Sequence, residues 1–187
     1  NYAILPCGTD THTFFELPKD EARNDLGWEQ NGKYVLFAGA FENKVKNYAL
    51  AQKAVTLVNG CQLIELKGYD RVQVNLLMNA CDCFLMTSDK EASPMVIKEA
   101  MLCGCPIISV DVGDLKDMIS GIVGCFIARR EPEDIADKLL HIFELRKRTD
   151  GRNRIIQSGL DLSDIARRIQ TIYEDVYRIH AKNKYVV

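Results

Sequence analysis

Glu91 and Glu99 lie on either side of a Ser93–Pro94 step in the stretch DKEASPMVIKEAMLCGCPIISVDVGD, residues 89–114. Serine followed by proline reads as a helix N-cap and first helical residue. The serine oxygen accepts from an otherwise unpaired N–H, and proline lacks the donor that would be left over there. The helix then runs to about Gly104, with free N–H groups near Met95 and Val96 facing back toward the loop. They carry the positive end of the helix dipole, which favours an anion by about 0.3–1 kcal/mol when exposed, so a phosphate fits there. Glu99 is five residues past Pro94, roughly 7–8 Å along the axis at about 1.5 Å per residue. Glu91 stays in the loop before the helix, and the two carboxylates flank the anion position. The neighbours of Glu99 three and four residues away are Met95, Val96, Leu102 and Cys103, all apolar. A carboxylate in an apolar stripe needs a partner. Sugar or ribose hydroxyls would serve, each hydrogen bond to a charged acceptor contributing about 1.5–3 kcal/mol. An arginine or lysine from elsewhere in the chain is the other candidate.

The elements that must position these residues are legible as apolar runs. VLFAGAF, CQLIEL, CDCFLMTS, PIISVD and VGCFIA read as strands, alternating with helix-like segments near 46–58, 71–80, 94–103, 115–119 and 133–147. Alternating β and α implies a mostly parallel sheet with helices on both faces, a Rossmann-like three-layer α/β/α fold. Ligands bind such sheets outside the carboxyl ends of the strands, where Gly39, Gly68 and Glu91 all fall. Gly39 ends the first strand, and its missing side chain lets the backbone approach a phosphate; Lys46, expected at the next helix start, supplies a point charge. Taken alone, a plain turn glycine and a solvated lysine explain those two residues equally well. A last helix, SDIARRIQTIYEDVYR, carries Ile165, Ile169, Ile172 and Val176 on one stripe, with Ser163 or Asp161 as its cap.

The pattern glutamate, seven residues, glutamate, continuing as EAMLCGCPIIS and DVGD, resembles the donor-sugar motif of retaining glycosyltransferases of family 4, which have the GT-B fold. LPCGTDTHTFF at 5–15 is similar to the segment that opens the C-terminal domain in that family, with Cys7 in place of an asparagine. VLFAGAFENKVKN at 35–47 is similar to the first strand and phosphate loop, and NACDCFLMTSDKE at 79–91 to the strand leading into the donor site. The resemblance runs from about Ile4 to Tyr177. Three departures stand out: Ala40 follows Gly39 where members commonly have arginine, Ala92 and Pro94 replace the usual glycines, and Asp114 stands where a second glycine is frequent.

The resemblance implies one half of a two-domain GT-B enzyme: residues 1–16 as an interdomain linker segment, 17–160 as the Rossmann-like nucleotide-sugar-binding domain, and 161–187 as a C-terminal helix and tail. The missing partner is an N-terminal Rossmann-like domain, without which little transfer is expected. It further implies a nucleotide-diphosphate sugar donor, UDP-, GDP- or another, with no cofactor and no metal. Glu91 is assigned to the hydroxyls of the transferred sugar and Glu99 to the ribose. Lys46, Gly39, Ser93 and the N–H groups of Met95 and Val96 are assigned to the diphosphate, and the backbone near Arg71 and Val72 to the base. Glu91 and Lys46 are the expected catalytic pair. Polysaccharide or glycolipid synthesis is the usual setting of such transferases. A GT-B sugar-nucleotide epimerase or phosphorylase, and a sugar-nucleotide-binding module without catalysis, are the alternatives.

Composition sets outer bounds. The chain has 187 residues, 47% hydrophobic and 27% charged, enough for one substantial α/β core. A formal net charge of −2 argues against general nucleic-acid binding. No apolar run approaches a membrane span and no signal-peptide pattern opens the chain, so the cytosol is the expected location. The seven cysteines lack a CxxC pair, and His12, His141 and His180 lack ligand spacing, which favours free thiols over disulfides or zinc. The run RKRTDGRNR at 146–154 carries five Lys or Arg against one Asp, enough to touch anionic lipid at the inner face of a membrane or an anionic acceptor. A solvated helix end and turn is the more ordinary reading.

Overall fold

Five short strands, the central ones too apolar to leave either face in water, assemble into one parallel sheet. They are β1 (Lys33–Phe37), β2 (Cys61–Glu65), β3 (Cys83–Met86), β4 (Ile107–Val110) and β5 (Cys125–Ala128), in the order β2-β1-β3-β4-β5. The computed structural model describes residues 4–183, and the side chains of residues 4–179. The first three residues of the expected linker segment and the last four of the expected tail lie outside the described residues.

The register pairs Val35 with Cys83 and Phe84 with Ile107, and successive side chains divide between two apolar layers. Val35, Phe37, Leu85, Ile108 and Val110 face α2 (Tyr48–Thr56) and α6 (Pro132–Leu145). Leu36, Phe84, Met86 and Ile107 face α3 (Arg71–Ala80), α4 (Met95–Leu102) and α5 (Leu115–Ile119). Burial on both faces explains why the strand sequences are continuous apolar runs rather than alternating ones. The sequence expectation of a Rossmann-like α/β fold with a parallel sheet therefore holds.

Several boundaries differ from expectation. β1 stops at Phe37 instead of running to Phe41, because Gly39 turns the chain at φ 148° and its N–H closes onto the Phe37 carbonyl at 2.7 Å. α2 begins at Tyr48, behind a separate 3₁₀ turn over Lys44–Lys46. Asn47, at φ 53°, ends the turn and starts the helix, so Lys46 sits in the turn and not in the first helical turn. Two helices were not expected. α1 (Lys19–Leu26) buries only Ala22 and Arg23, so it has no apolar stripe to read. α7 (Gly151–Gln157) opens on glycine inside the basic run.

Polar bonds close the ends of the fold. Arg23, 3% exposed, donates to the Ala80 carbonyl at 2.9 Å and to Asp82 at 2.9 Å, and Asp82 also accepts from the Tyr34 N–H at 2.8 Å. The chain before α1 is held just as firmly. Asn75 and Asn79, one turn apart on the buried face of α3, accept from the N–H groups of Phe15 and Leu17 at 3.0 and 2.8 Å. Thr9 bridges to Asp161, just before α8 (Leu162–Asn183), where Asp161 accepts from the Ser163 N–H and caps the helix. Of the expected α8 stripe only Ile165 is buried; Ile169 stays exposed, as do Tyr173 and Tyr177 farther along. No described helix is long and apolar enough to cross a membrane. The described cysteines are free, and burial pushes the Cys61 and Cys125 thiols up to about 12, which makes them poor nucleophiles.

The basic run does not present a uniform cationic surface. Arg148 donates to the carbonyls of Met78 and Asn79, Arg152 to those of Phe14 and Thr11 at 3.0 and 3.3 Å, and Arg154 to that of Ser120 at 3.1 Å. Arg146 and Lys147 remain exposed. Arg152→Ala is therefore expected to lower stability by about 2 kcal/mol, the scale of charged hydrogen bonds to carbonyls. The Arg146→Ala, Lys147→Ala double variant should stay within about 0.5 kcal/mol of the parent. Urea midpoints compared at constant m-value check both; equal effects would contradict the inward role of Arg152.

Candidate active site

The strand order reverses direction between β1 and β3, so the loops leaving these two strands part at the carboxyl edge and open a crevice. The loop after β1 carries Gly39 and Lys46; the loop after β3 carries Glu91. A Cβ at Gly39 would lie 3.2–3.3 Å from the aliphatic stem of Lys46, so the glycine leaves a channel along which the lysine crosses the crevice. Lys46 Nζ lies 2.7 Å from Glu91 Oε1, with the side chains 20% and 15% exposed. The two residues expected to do chemistry thus meet across the reversal point.

The loops themselves are fastened together. The Thr87 hydroxyl sits 2.9 and 3.0 Å from the carbonyls of Lys46 and Asn47, the Asp89 N–H donates to the Val45 carbonyl at 2.8 Å, and Asn47 donates to Asp89 at 3.0 Å. Arg130, just past β5, donates to the Ser88 carbonyl at 2.9 Å and to Asp89 Oδ1 at 3.0 Å. Sequence reasoning passed over Arg130; its place right after an apolar strand, at the same carboxyl edge, was the available signal.

At α4 the expected cap is corrected. Pro94, at ψ 120°, is itself the cap residue, which moves Ser93 one position too early to reach the first amides. The Ser93 oxygen is buried and has no hydrogen-bond partner among the described residues. The helix therefore starts without a side-chain cap, and no acceptor from the described residues meets the N–H groups of Met95 and Val96. The loop before it is pressed into place by Gly113, where a Cβ would come 2.4 Å from the Ala92 carbonyl. One turn into α4, Lys98 is 1% exposed and donates to the Cys7 carbonyl at 2.9 Å, tying the N-terminal strap to this helix.

Glu99 is half-buried on α4, and no hydrogen bond or salt bridge reaches its carboxylate among the described residues. Burial raises its carboxyl above the ordinary 4.5, an effect that the charge of Arg71 partly offsets. Arg71 lies over the Phe14 ring at 5.0 Å and 3.7 Å from Asp10, so it acts on Glu99 as a field rather than as a bonded partner. Val72 does not join this group through its side chain, which is 73% exposed, and Tyr69 is also exposed. Among the described residues no group of three or more His, Cys, Asp or Glu is arranged to hold a metal ion. The edge thus offers a cation beside a carboxylate, bare helix amides, and a second carboxylate lacking a donor, an arrangement suited to a ligand that carries both anionic oxygens and hydroxyls.

Known proteins share this arrangement of elements. A family model described as glycosyl transferases group 1 matches residues 35–144, more than half of the chain. N-acetyl-alpha-D-glucosaminyl L-malate synthase of Bacillus anthracis is 30% identical over 199 aligned positions, spanning 90% of this chain and 52% of the relative. Sucrose-phosphate synthase from Thermosynechococcus elongatus superposes with a TM-score of 0.84 at 19% identity, over 95% of this chain and 53% of that one. HepE from Anabaena, solved in complex with UDP and glucose, gives a TM-score of 0.71 at 20% identity, over 92% and 56%. The chain thus spans about half the length of each.

Two outcomes follow from the geometry. The folded protein holds the Glu99 proton more tightly than the unfolded chain does, so the stability linked to that proton is present below pH 4.5 and lost as pH rises through the raised folded value. Glu99→Gln should therefore raise the urea midpoint at pH 7, and the gain should vanish at pH 4. A gain that persists unchanged at pH 4 would contradict the desolvation argument. Gly39→Ala adds a methyl group against Lys46 at a positive φ, and a loss of about 1–2 kcal/mol is expected in the same assay.

Proposed function

Because the chain belongs to the group 1 glycosyl transferases, we propose that it is the donor-binding, C-terminal half of a retaining glycosyltransferase that uses a nucleotide-diphosphate sugar. The observation that carries this reading is the meeting of Lys46 and Glu91 beside the uncapped start of α4. An ammonium and bare helix amides suit a diphosphate; a carboxylate beside them suits sugar hydroxyls.

In this reading the bond between the anomeric carbon and the diphosphate oxygen breaks, with its electron pair going to the diphosphate. Lys46 and the N–H groups of Met95 and Val96 stabilise that developing charge, the main catalytic task. The buried Ser93 hydroxyl, without a partner among the described residues, serves the same ligand as a further donor. Glu91 accepts from hydroxyls of the transferred sugar and orients it. Glu99, lacking a bonded donor, accepts from the ribose, and the base lies against the backbone near Arg71 and Val72. The acceptor oxygen bonds to the anomeric carbon as its proton passes to the departing diphosphate oxygen. Charge neutralisation by Lys46 and the helix end needs no metal in this scheme. With Ala40 where an arginine is common, Lys46 takes a larger share of the phosphate charge.

The acceptor would be held by a second Rossmann-like domain preceding this one, and the exposed Ile169, Tyr173 and Tyr177 on α8 are the surface such a domain would cover. Synthesis of a polysaccharide or glycolipid in the cytosol, at the inner face of a membrane, suits the exposed Arg146 and Lys147 as a contact to anionic headgroups. UDP-sugars are the first donors to try, since HepE was solved with UDP and glucose.

Titration of the full-length protein with UDP and with GDP tests the reading. Lys46→Ala is expected to weaken binding by at least about tenfold, the loss of one charge-assisted contact of about 1.5–3 kcal/mol. Glu99→Ala should weaken it similarly. Unchanged binding in both variants would overturn the site assignment, and transfer or hydrolysis of a sugar nucleotide by the full-length protein would exclude a purely binding role.

A further inference from the structure

We propose that Glu91 and a bound diphosphate compete for Lys46, so that the site discriminates between an intact sugar nucleotide and the bare nucleoside diphosphate left after transfer. The inference rests on the donor reading given above and adds a specificity-determining role for the ion pair within it. Among the described residues Glu91 and Lys46 are each other's salt-bridge partner, at 2.7 Å. Both side chains are largely withdrawn from water, at 20% and 15% exposure. Separating them leaves each needing a new partner, because a half-buried charge without one is costly.

The two ligands differ in what they return. A sugar nucleotide brings phosphate oxygens for Lys46 and hydroxyl donors for Glu91, so both halves of the broken pair are satisfied. A nucleoside diphosphate brings only phosphate oxygens to this pair, its ribose hydroxyls being taken by Glu99. Lys46 can turn to it, but Glu91 is then left without a donor and faces a negative ligand. The exchange is confined to the two side chains, because the loops on which they stand are fastened by Thr87, by the Asp89–Val45 bond and by Arg130. Gly39 leaves the lysine stem its channel. Once the sugar has moved to the acceptor, Glu91 loses its hydroxyl donors and recaptures Lys46, and the diphosphate is released.

The test uses the full-length protein and five probes: UDP, GDP, UDP-glucose, UDP-N-acetylglucosamine and GDP-mannose, titrated calorimetrically. For Glu91→Gln we expect the diphosphate to bind more tightly, by up to about fivefold, the range of a partly screened ion pair. The preference for the matching sugar nucleotide over the diphosphate should shrink. In a Lys46→Met background the same Glu91→Gln change should give no gain for the diphosphate, since there is no longer a lysine to free. A gain of equal size in that background would show simple repulsion between Glu91 and the phosphates and would overturn the competition. So would a Glu91→Gln variant whose diphosphate affinity is unchanged or weaker. If the parent binds none of the five probes, the donor reading itself falls and this inference falls with it, an outcome separate from those that defeat the competition alone.

Discussion

The reversal of strand order between β1 and β3 is the constraint on which the site depends. The loops after β1 and β3 lead to helices on opposite faces of the sheet, α2 and α4, and among the described residues the first N–H groups of α4 meet no acceptor. The chain sets a lysine from one loop against a glutamate from the other at this point. Gly39 leaves the lysine stem room that a Cβ, 3.2–3.5 Å away, would crowd. Charge, channel and helix end are thus three consequences of one topological fact.

Holding this crevice open requires that its rims not sag into it, and polar bonds hold them alongside the Phe41–Tyr48 ring stack. Thr87 and Arg130 bind main-chain carbonyls of the two loops, Asn75 and Asn79 accept from the strap before α1, and Lys98 and Arg152 donate to carbonyls of that strap. Each of these is a side chain bonded to backbone, which fixes the path of a segment without depending on the identity of its residues. Buried polar groups of this kind cost more to leave unpaired than they contribute when paired, so each acts chiefly as a restraint on alternative loop paths.

The fold was largely readable because its central strands are buried on both faces and leave unbroken apolar runs. The helix expected near 71–80 is α3, whose start the structure marks with a reciprocal cap of Asp70 and Gln73. Glu99 lies within α4 and Glu91 in the loop before it, as the sequence order implies. What stayed hidden was set by tertiary contacts. Ser93 looked like a cap because serine before proline usually is one; the extended ψ of Pro94 shifted the helix start by one residue. α1 and α7 carry no apolar stripe and are held by Arg23 and Arg152 through carbonyls far away in sequence. The basic run read as a surface because a string of like charges usually is one. Three of its arginines instead reach inward, to carbonyls that no local pattern could announce. Arg130 was missed for the same reason, its targets lying some forty residues upstream.

The carboxylates of the chain separate structural work from a site that awaits a partner. Asp134 is pulled down to about 2 by hydrogen bonds led by Lys138, and Asp161 to about 2 by those led by Ser163. In both, the fold supplies donors to the charged form, and ionisation and folding favour one another. Glu99 goes the other way: burial raises it, the field of Arg71 only partly compensates, and among the described residues no donor bonds to it. A fold optimised for stability alone would place glutamine or an aliphatic residue there, because the neighbours on α4 are apolar. Keeping a charge that the protein itself disfavours makes sense where the missing donors come from outside, and hydroxyls are the donors that satisfy a carboxylate without neutralising it. The same logic distinguishes Glu91, whose donor is present but on loan from Lys46. The two glutamates therefore differ in kind: Glu91 has an internal partner in Lys46, and Glu99 has no bonded donor among the described residues.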